Sequence, residues 1–290
     1  MNILRCKDLE KKILDNLAER VNDLKRQGVS PSLVMISVGE DPASRTYVMK
    51  KEKIAKQLGI DTTQINLPAG ITEEELLQII EKNTHVSPTI VQLPLPSHIN
   101  TDRVIQAIDP LTDVDGFTPI NIGNMLVGQP CFIPATPKGI LAILDYFKIC
   151  TEGKNIAVVG RSNIVGKPLA NLLSSKRFNA TVTLCHSYTK DLSAILRQMD
   201  IVVVATGKPS TVKVSDLKNT AVVIDVGVNR VGDTSERGWH LTGDFDKTSV
   251  ETTGISYTPV PGGVGLLTVA MLMENTVEAF EKRVALKEPL

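Results

Sequence analysis

The sequence contains few aromatic residues, few cysteines and no excess of either charge. Aromatic residues make up 4%, four residues are cysteine, and 32 Lys and Arg balance 32 Asp and Glu. A balanced charge provides no basic footprint for nucleic acid and no polybasic face for a membrane. No apolar run approaches the ~20 residues of a membrane span. We therefore expect a soluble globular protein with neither nucleic acid nor membrane as its partner.

The residues that hold metals or form disulfides are scattered along the chain. The isolated ones are Cys6, Cys131, Cys150, Cys185, His85, His98, His186 and His240. Because no CxxC pair or ligand cluster occurs, the sequence predicts reduced thiols and no protein-held metal. The N-terminus also lacks the apolar core of a signal peptide, which favours a cytoplasmic location.

Helical and strand patterns alternate over most of the 290 residues. The strands, such as "SLVMISVG" and "KNIAVVG", are continuous apolar runs, which is typical of parallel sheets covered on both faces. Residues 109–139 interrupt this alternation with a segment rich in Gly, Pro, Asp and Asn, and we predict a long functional loop there. Thr136 and Pro137 then predict a helix start, with Thr136 as the N-cap. The sequence therefore predicts two α/β units.

Two helix ends carry local signals. Thr72 and Glu75 have the spacing of a capping box at a helix start, and Gly59 is placed to end the preceding helix.

A glutamine interrupts the apolar strand predicted over residues 89–96, "TIVQLPLP". A buried amide left without a partner costs roughly 1–3 kcal/mol. Gln92 therefore needs a partner near the end of this strand.

The segment "VVGRSNIVGKP" reads as strand, turn and helix, with Gly160 ending the strand and Gly166 in the first helical turn. Backbone amides and the helix dipole at such a turn suit a pyrophosphate. Ser162 stands where the GxGxxG fingerprint has its second glycine. Any α/β protein also needs a tight turn for close packing, so the turn alone leaves dinucleotide binding and simple packing open.

The next strand, "ATVTLCHS", ends in His186 and Ser187 without the acid that typically binds the ribose of NAD. Arg161 lies in the phosphate turn itself. A cation and hydroxyls in place of a carboxylate favour the 2′-phosphate of NADP. The alternative is that Arg161 is a solvated surface residue.

Three further motifs have both a functional and a structural interpretation. Tyr47 and Lys51 are spaced i, i+4 and share a helix face, where a desolvated lysine can transfer protons near neutral pH. Most lysines of such a basic run are solvated. Asp113 and Asp115 in "DVDGF" suit either a metal fragment or a turn, and no other ligand residues accompany them. The glycine-rich "PVPGGVG" is either a turn or a backbone surface for a flat ligand.

Five motifs in order, "YVMKK", "VQLPLP", "DVDGF", "VVGRSNIVGKP" and "TPVPGGVGLLTVAMLMENT", resemble the bifunctional methylenetetrahydrofolate dehydrogenase/methenyltetrahydrofolate cyclohydrolase family. The resemblance implies oxidation of 5,10-methylenetetrahydrofolate with NADP and hydrolysis of the product to 10-formyltetrahydrofolate, in one-carbon metabolism. It implies an N-terminal α/β domain (residues 1–138, with helix 266–290 packing back on it) and a Rossmann-like NADP domain (139–265). The active site would lie in the cleft between them, in a homodimer.

The resemblance also carries residue roles onto this sequence. The catalytic residues would be Tyr47, Lys51, Gln92 and Asp115, with Gln92 hydrogen-bonding the Lys51 amine and Asp115 binding the pterin. The remaining folate contacts would be Leu93, Gly262 and Gly263. The implied NADP contacts are Gly160, Arg161, Ser162, Ile164, Ser187, Val228 and Thr268.

The sequence departs from the family pattern at several positions. These are Thr112 for lysine, Thr118 for histidine, Ala135 for cysteine, Leu266 for proline, and Pro88 and Thr89 for Asp-Gly. None removes a catalytic residue, but Leu266 adjoins the glycine loop and can alter the balance of the two activities. Two rival interpretations are an NADP oxidoreductase of the shikimate or amino-acid dehydrogenase type and a non-catalytic dinucleotide sensor. The intact catalytic set argues against the sensor.

Overall fold

The computed structural model describes residues 3–234 and 238–286, except the side chains of Pro42 and Ala43. These residues fall into two compact units. The first unit consists of Lys12–Ala135 and Val269–Leu290, and the second of Met1–Lys11 and Thr136–Thr268. Residues 287–290 of the predicted last helix lie outside the described part.

The secondary structure follows the expected alternation. The helices are α1 (Lys7–Arg26), α2 (Pro42–Leu58), α3 (Glu73–Thr84), α4 (Thr101–Gln106), α5 (Pro119–Val127), α6 (Ala135–Tyr146), α7 (Gly166–Ser174), α8 (Leu192–Leu196) and α9 (Val264–Leu286). The strands are β1 (Ser32–Val38), β2 (Asp61–Leu67), β3 (Thr89–Val91), β4 (Asn155–Val159), β5 (Thr181–Cys185), β6 (Ile201–Val204), β7 (Val212–Lys213), β8 (Val222–Asp225), β9 (Asn229–Gly232), β10 (Trp239–Thr242), β11 (Phe245–Asp246) and β12 (Ser256–Tyr257).

Each unit contains a parallel sheet, as the continuous apolar strands predict. The strand order is β2-β1-β3 in the first unit and β12-β8-β6-β4-β5 in the second. All the pairings within these two sheets are parallel. The described residues include no helix long and apolar enough to cross a bilayer.

The predicted boundaries place the N-terminal segment in the first unit, and the described residues 3–11 differ from this prediction. They belong to the second unit because Leu4 N donates to the Tyr257 carbonyl (2.8 Å) and Cys6 N donates to the Gly262 carbonyl (3.0 Å). The other observed limits, Thr136 and Thr268, compare with predicted limits of 139 and 265.

Local signals set the ends of the helices that frame the first sheet. Asp41 is the N-cap of α2 and accepts from Ser44 N (2.7 Å), and Gly59 ends this helix at φ 75°. Thr72 and Glu75 form the predicted capping box of α3. Such caps satisfy amides at the helix start that have no partner within the helix.

Two predictions around residues 89–139 are wrong in extent. The strand is confined to β3, because the chain leaves the sheet beyond Gln92, whose N still donates to the Ile36 carbonyl. The predicted loop contains α5, which Thr118 caps by accepting from Asn121 N (3.4 Å). Thr118 precedes Pro119, the same helix-start signal that Thr136 and Pro137 carry.

The helix α6 starts two residues earlier than predicted, because Thr136 as N-cap would make Pro137 its first residue. The helix begins at Ala135, so Thr136 lies inside it instead of capping it. The Thr136 hydroxyl forms a hydrogen bond with the Thr268 hydroxyl at 3.1 Å instead of accepting from a helix amide. The single predicted strand "AVVIDVGVN" is likewise two strands, since β8 ends at Asp225 and β9 pairs antiparallel with β10.

Candidate functional site

A buried lysine faces the glutamine at the end of β3. Lys51 on α2 is 9% exposed, and its Nζ donates to Gln92 Oε1 at 3.0 Å. Gln92 Nε2 donates to the Leu93 carbonyl at 2.7 Å, and Gln92 N donates to the Ile36 carbonyl at 2.8 Å. Both ends of the side-chain amide therefore have partners, which removes the cost of an unpaired amide. The predicted hydrogen bond between Lys51 and Gln92 is confirmed.

The surroundings of Lys51 favour its neutral amine. Burial lowers the pKa of Lys51 from its ordinary 10.5, and the negative charge of Asp115 opposes part of that shift. Desolvation penalises an ammonium ion, whereas a nearby carboxylate favours it. An amine with a lowered pKa accepts a proton and returns it at lower pH than a free lysine does.

Burial separates Lys51 from the other lysines of α2. Lys53 and Lys56 are exposed, and Lys56 pairs with Glu52 at 2.6 Å on the helix surface. The sequence alone does not show which lysine of this basic run is buried. The fold distinguishes them, because α2 turns only Lys51 of these three towards Gln92.

The two aspartates of "DVDGF" have different surroundings. Asp113 is fully buried, and its carboxylate accepts from Gly116 N (3.0 Å), Thr118 N (2.7 Å) and Asn121 Nδ2 (2.9 Å). This aspartate holds the turn, as the structural interpretation expects.

Asp115 is half-buried and interacts with the charge of Lys51. Burial raises its pKa, the lysine lowers it, and Asp113 raises it further. Only Asp115 of the two carries an electrostatic link to the amine. Among the described residues, no group of three or more His, Cys, Asp or Glu is arranged to hold a metal ion.

Tyr47 supplies an open aromatic surface one helical turn before Lys51. Its side chain is 40% exposed, and Leu93 beyond β3 is half-buried. The i, i+4 spacing places Tyr47 and Lys51 on one face of α2, as the sequence predicts. A ring exposed beside a buried amine is suited to stack on a flat ligand.

A cavity of about 400 Å³ opens at the carboxyl ends of β1 and β2. Its lining includes Ser37, Asn66, Ser44 and Gln92. In open α/β sheets, ligands bind beyond these strand ends. The Ser44 hydroxyl is buried without a hydrogen-bond partner among the described residues, and the sequence analysis missed it.

The turn after β4 in the second unit leaves no room for side chains at two positions. Gly160 has φ +128°, and a Cβ there would lie 2.1 Å from the Ala205 carbonyl oxygen. A Cβ at Gly166 would lie 1.9 Å from the Gly160 carbonyl oxygen. Ser162 Oγ accepts from Val165 N (3.2 Å) and Gly166 N (3.4 Å). Backbone therefore forms this cradle at the start of α7, which is the geometry that suits a pyrophosphate.

Arg161 lies beside the residues that follow β5. It is exposed, and its guanidinium carbon is 5.9 Å from the Tyr188 ring centroid. Ser187 is also exposed, and His186 Nδ1 accepts from Tyr188 N at 3.2 Å. The strand end therefore presents a cation and a hydroxyl, with no acid in the sequence between Cys185 and Tyr188.

The remaining predicted contacts also belong to the second unit. Ile164 and Val228 are 37% and 44% exposed, an unusual exposure for branched apolar side chains. Gly262 has φ +106°, and a Cβ at Gly263 would lie 2.5 Å from the Pro259 carbonyl oxygen. Thr268 Oγ1 lies 3.1 Å from Thr136 Oγ1, which belongs to the same unit. By contrast, Lys51, Gln92 and Asp115 belong to the first unit.

Two buried aspartates that the sequence analysis missed fix loops at the carboxyl end of the second sheet. Asp244 Oδ2 accepts from Thr206 N (2.6 Å) and Gly207 N (2.9 Å). Asp225 Oδ1 accepts from Asp244 N (2.9 Å), and burial raises the pKa of Asp225 to about 6. A Cβ at Gly227 would lie 1.9 Å from Asp244 Oδ1. The signal in the sequence is an acid within two residues of a glycine in both "DVGV" and "GDFD".

Four of the residues that depart from the family pattern are buried, half-buried or cap a helix. Thr112 is buried, and its hydroxyl pairs with that of Thr84 (2.8 Å). Thr118 caps α5. Ala135 is buried at the start of α6, and Leu266 is half-buried in the first turn of α9.

Two family models match the chain. The catalytic domain of tetrahydrofolate dehydrogenase/cyclohydrolase matches residues 4–115. The NAD(P)-binding domain of the same family matches residues 134–284.

Individual relatives match over nearly the whole chain. Bifunctional protein FolD of Acetivibrio thermocellus is 45% identical over 288 residues, which cover 98% of this chain and 99% of the relative. The crystal structure of FolD, a methylenetetrahydrofolate dehydrogenase/cyclohydrolase from Campylobacter jejuni, has a TM-score of 0.92 at 41% identity and covers 98% and 99% of the two chains. The Trypanosoma brucei enzyme, solved with NADP and an inhibitor, has a TM-score of 0.91 at 34% identity and covers 97% and 98%.

Proposed function

The chain belongs to the tetrahydrofolate dehydrogenase/cyclohydrolase family, and from that premise we propose that Lys51, Gln92, Asp115 and Tyr47 form its catalytic set. The protein is a bifunctional enzyme that oxidises 5,10-methylenetetrahydrofolate with NADP and hydrolyses the resulting methenyl compound to 10-formyltetrahydrofolate. Family membership also decides against the rival oxidoreductase and sensor interpretations.

The observation that carries the residue assignment is the buried amine of Lys51 held by Gln92. In the hydrolysis, water adds to the methenyl carbon and gives one proton to the neutral Lys51 amine. The bond from this carbon to the ring nitrogen N5 then breaks, and Lys51 returns the proton to N5. The hydroxyl loses its own proton to solvent as the formyl carbonyl forms, so one proton is released overall. Positioned proton transfer of this kind typically contributes ~10²–10⁴-fold.

Gln92 orients the amine for this exchange. Its Nε2 donates to the Leu93 carbonyl, so Oε1 is the atom that faces Lys51. Because Oε1 accepts one N–H of Nζ, the lone pair and the other N–H of the neutral amine are directed towards the substrate. Tyr47 would stack on the folate with its exposed ring. Leu93 would add apolar contact.

Asp115 would accept hydrogen bonds from the donor edge of the pterin. We expect Asp115→Asn to raise the KM for methylenetetrahydrofolate roughly 10- to 100-fold, because a hydrogen bond to a charged group contributes about 1.5–3 kcal/mol. The KM for NADP should not change. Steady-state kinetics with each substrate varied in turn measures both constants.

Asp113→Asn provides the contrast. Its carboxylate accepts from the amides of Gly116 and Thr118, so this variant should lose thermal stability. An unchanged folate KM in Asp115→Asn would return the whole motif to a purely structural role.

The second unit fits a dinucleotide, since Gly160 and Gly166 form a side-chain-free turn at the start of α7, where backbone amides and the helix dipole suit a pyrophosphate. When bound, NADP supplies the hydride acceptor for the oxidation. We assign the pyrophosphate to this cradle with Ser162, and the 2′-phosphate to Arg161 and Ser187. The other contacts that we propose are Ile164, Val228 and Thr268, with Gly262 and Gly263 at the folate.

The experiment that tests the function follows absorbance in one mixture. Purified protein with NADP and methylenetetrahydrofolate should produce NADPH and a methenyl signal that then decays. A folded protein that produces no NADPH would overturn the function, and a methenyl signal that persists would overturn the hydrolysis.

We further propose that the enzyme is a homodimer in which strand β5 of one copy pairs with that of another. This strand is an outer strand of its sheet. Thr181 N donates to the Lys154 carbonyl and Cys185 O accepts from Gly160 N, so these residues face β4. By alternation, the backbone of Leu184 faces away from β4. Such an edge is a template for another strand.

Light scattering tests the dimer. The wild type should have twice the mass of the 31.5 kDa chain. Leu184→Pro removes the outward N–H and should give monomers, whereas Leu184→Ala keeps it and should remain dimeric. A monomeric wild type, or a dimeric proline variant, would contradict this pairing.

We also propose that the enzyme is cytoplasmic and supplies purine, methionine and histidine biosynthesis. Family membership supports this proposal.

A further inference from the structure

An asparagine of α9 contacts the loop that carries Asp115. Asn275 is fully buried. Its Nδ2 donates to the Val114 carbonyl at 2.8 Å and to the Ile133 carbonyl at 2.9 Å. One amide group therefore joins two loop segments that lie on either side of α5 in the sequence.

These two segments are pressed against each other. Gly116 has φ +71°, and a Cβ there would lie 2.5 Å from the Phe132 carbonyl oxygen. Asn121 adds a second link, because its Oδ1 accepts from Phe132 N (3.2 Å) and its Nδ2 donates to Asp113 Oδ2 (2.9 Å). The turn around Asp115 is thus held by side-chain amides from α5 and from α9.

The hydrogen bonds fix both peptide planes that flank the Asp115 Cα. The Val114 carbonyl belongs to the plane before this atom, and Asn275 donates to it. Gly116 N belongs to the plane after it and donates to Asp113 Oδ1 at 3.0 Å. Because peptide groups are planar, anchoring both leaves little freedom in the φ and ψ of Asp115. Only its side-chain torsions then remain to be set.

We propose that Asn275 is a positioning residue for folate binding, which acts by fixing the backbone from which Asp115 reaches the pterin. This inference rests on the proposed role of Asp115. The carboxylate must meet the pterin donors at hydrogen-bond distance, and misplacement of such a group by about 1 Å can cost ~10²-fold. Asn275 would contact neither the folate nor the Lys51 amine, and it would act only through Asp115.

The test is Asn275→Leu, which keeps the approximate volume and removes both donations. Its matched control is Thr276→Val, on the same helix and equally buried, whose hydroxyl donates only to the Leu272 carbonyl at 2.9 Å in the bonds described. We expect Asn275→Leu to raise the KM for methylenetetrahydrofolate about 10-fold, within the range expected for loss of the Asp115 contact itself. The KM for NADP should stay constant, and Thr276→Val should change neither.

A double-mutant cycle separates positioning from general damage. If Asn275 acts through Asp115, Asn275→Leu in the Asp115→Asn background should add nothing further to the folate KM, since coupled residues are not additive. Full additivity, an unchanged folate KM in Asn275→Leu, or an equal rise in the KM for NADP would each overturn the proposal. An unchanged folate KM in Asp115→Asn alone would instead overturn the role proposed for Asp115.

Melting curves precede these assays, which are run below the transition of each variant. Should Asn275→Leu fail to fold, Asn275→Ser retains one donor and should show a smaller rise in the folate KM with the same non-additivity. If neither variant folds, Asn275 is required for folding and the positioning role is wrong.

Discussion

Replacing Lys51 with methionine is expected to lower the hydrolysis of methenyltetrahydrofolate by about 10²–10⁴-fold, the range of a lost proton-transfer group. Methionine fills a similar volume but cannot accept the proton of the attacking water. NADP affinity should persist, because Lys51 belongs to the first unit and the nucleotide turn to the second. The decay of methenyl absorbance measures the hydrolysis, and a titration with NADP measures the affinity.

Lys50→Met is the matched control for this variant. Adjacent residues on a helix point about 100° apart, so Lys50 leaves the face of α2 that Lys51 presents to Gln92. Its replacement should therefore have a far smaller effect on hydrolysis. Near-normal hydrolysis by Lys51→Met, or an equal loss in both variants, would contradict the assignment.

Replacing Arg161 with alanine is expected to lower the preference for NADP over NAD by roughly 10- to 100-fold, because hydrogen bonds to charged groups contribute about 1.5–3 kcal/mol. The guanidinium can form a charge-assisted contact with the 2′-phosphate, and the first five residues after β5 include no acid that would repel that phosphate. The loss should arise chiefly from a lower kcat/KM with NADP. Measuring kcat/KM with both cofactors in both proteins checks this expectation.

Lys167→Ala is the control for the loss of a nearby cation. Lys167 is also exposed and lies in the first turn of α7, where its Nζ donates to Asn163 Oδ1 at 2.7 Å. Its replacement should leave the cofactor ratio unchanged. A wild type that uses NAD as well as NADP, or an unchanged ratio in Arg161→Ala, would contradict the role of Arg161.

Local patterns predicted the features that local interactions determine. The capping box of α3 and the glycine stop of α2 depend on residues within one turn, and both are confirmed. Continuous apolar strands predicted the parallel sheets, because burial on both faces requires them. The helix α5 was missed although Thr118 and Pro119 carried its signal, since the surrounding glycines and prolines favoured a loop.

Contacts between distant residues were beyond such patterns. Asp113 and Asp115 are indistinguishable by type and spacing, and only their different partners in the fold separate their roles. Asn275 reaches Val114 across 161 positions, which no local periodicity encodes. The hydrogen bond between Lys51 and Gln92 was predicted only through the family resemblance, because the residues are 41 positions apart.

The pKa of the Lys51 amine is the quantity on which the proposed proton transfer depends most directly. Proteins labelled with ¹³C at lysine Cε can be titrated by NMR, with Lys51→Met identifying the signal. Because burial outweighs the opposing charge of Asp115, the pKa of Lys51 should lie below the ordinary 10.5. It should fall further in Asp115→Asn, which removes the negative charge that favours the ammonium form. A Lys51 pKa at or above 10.5, or a rise in Asp115→Asn, would contradict the account.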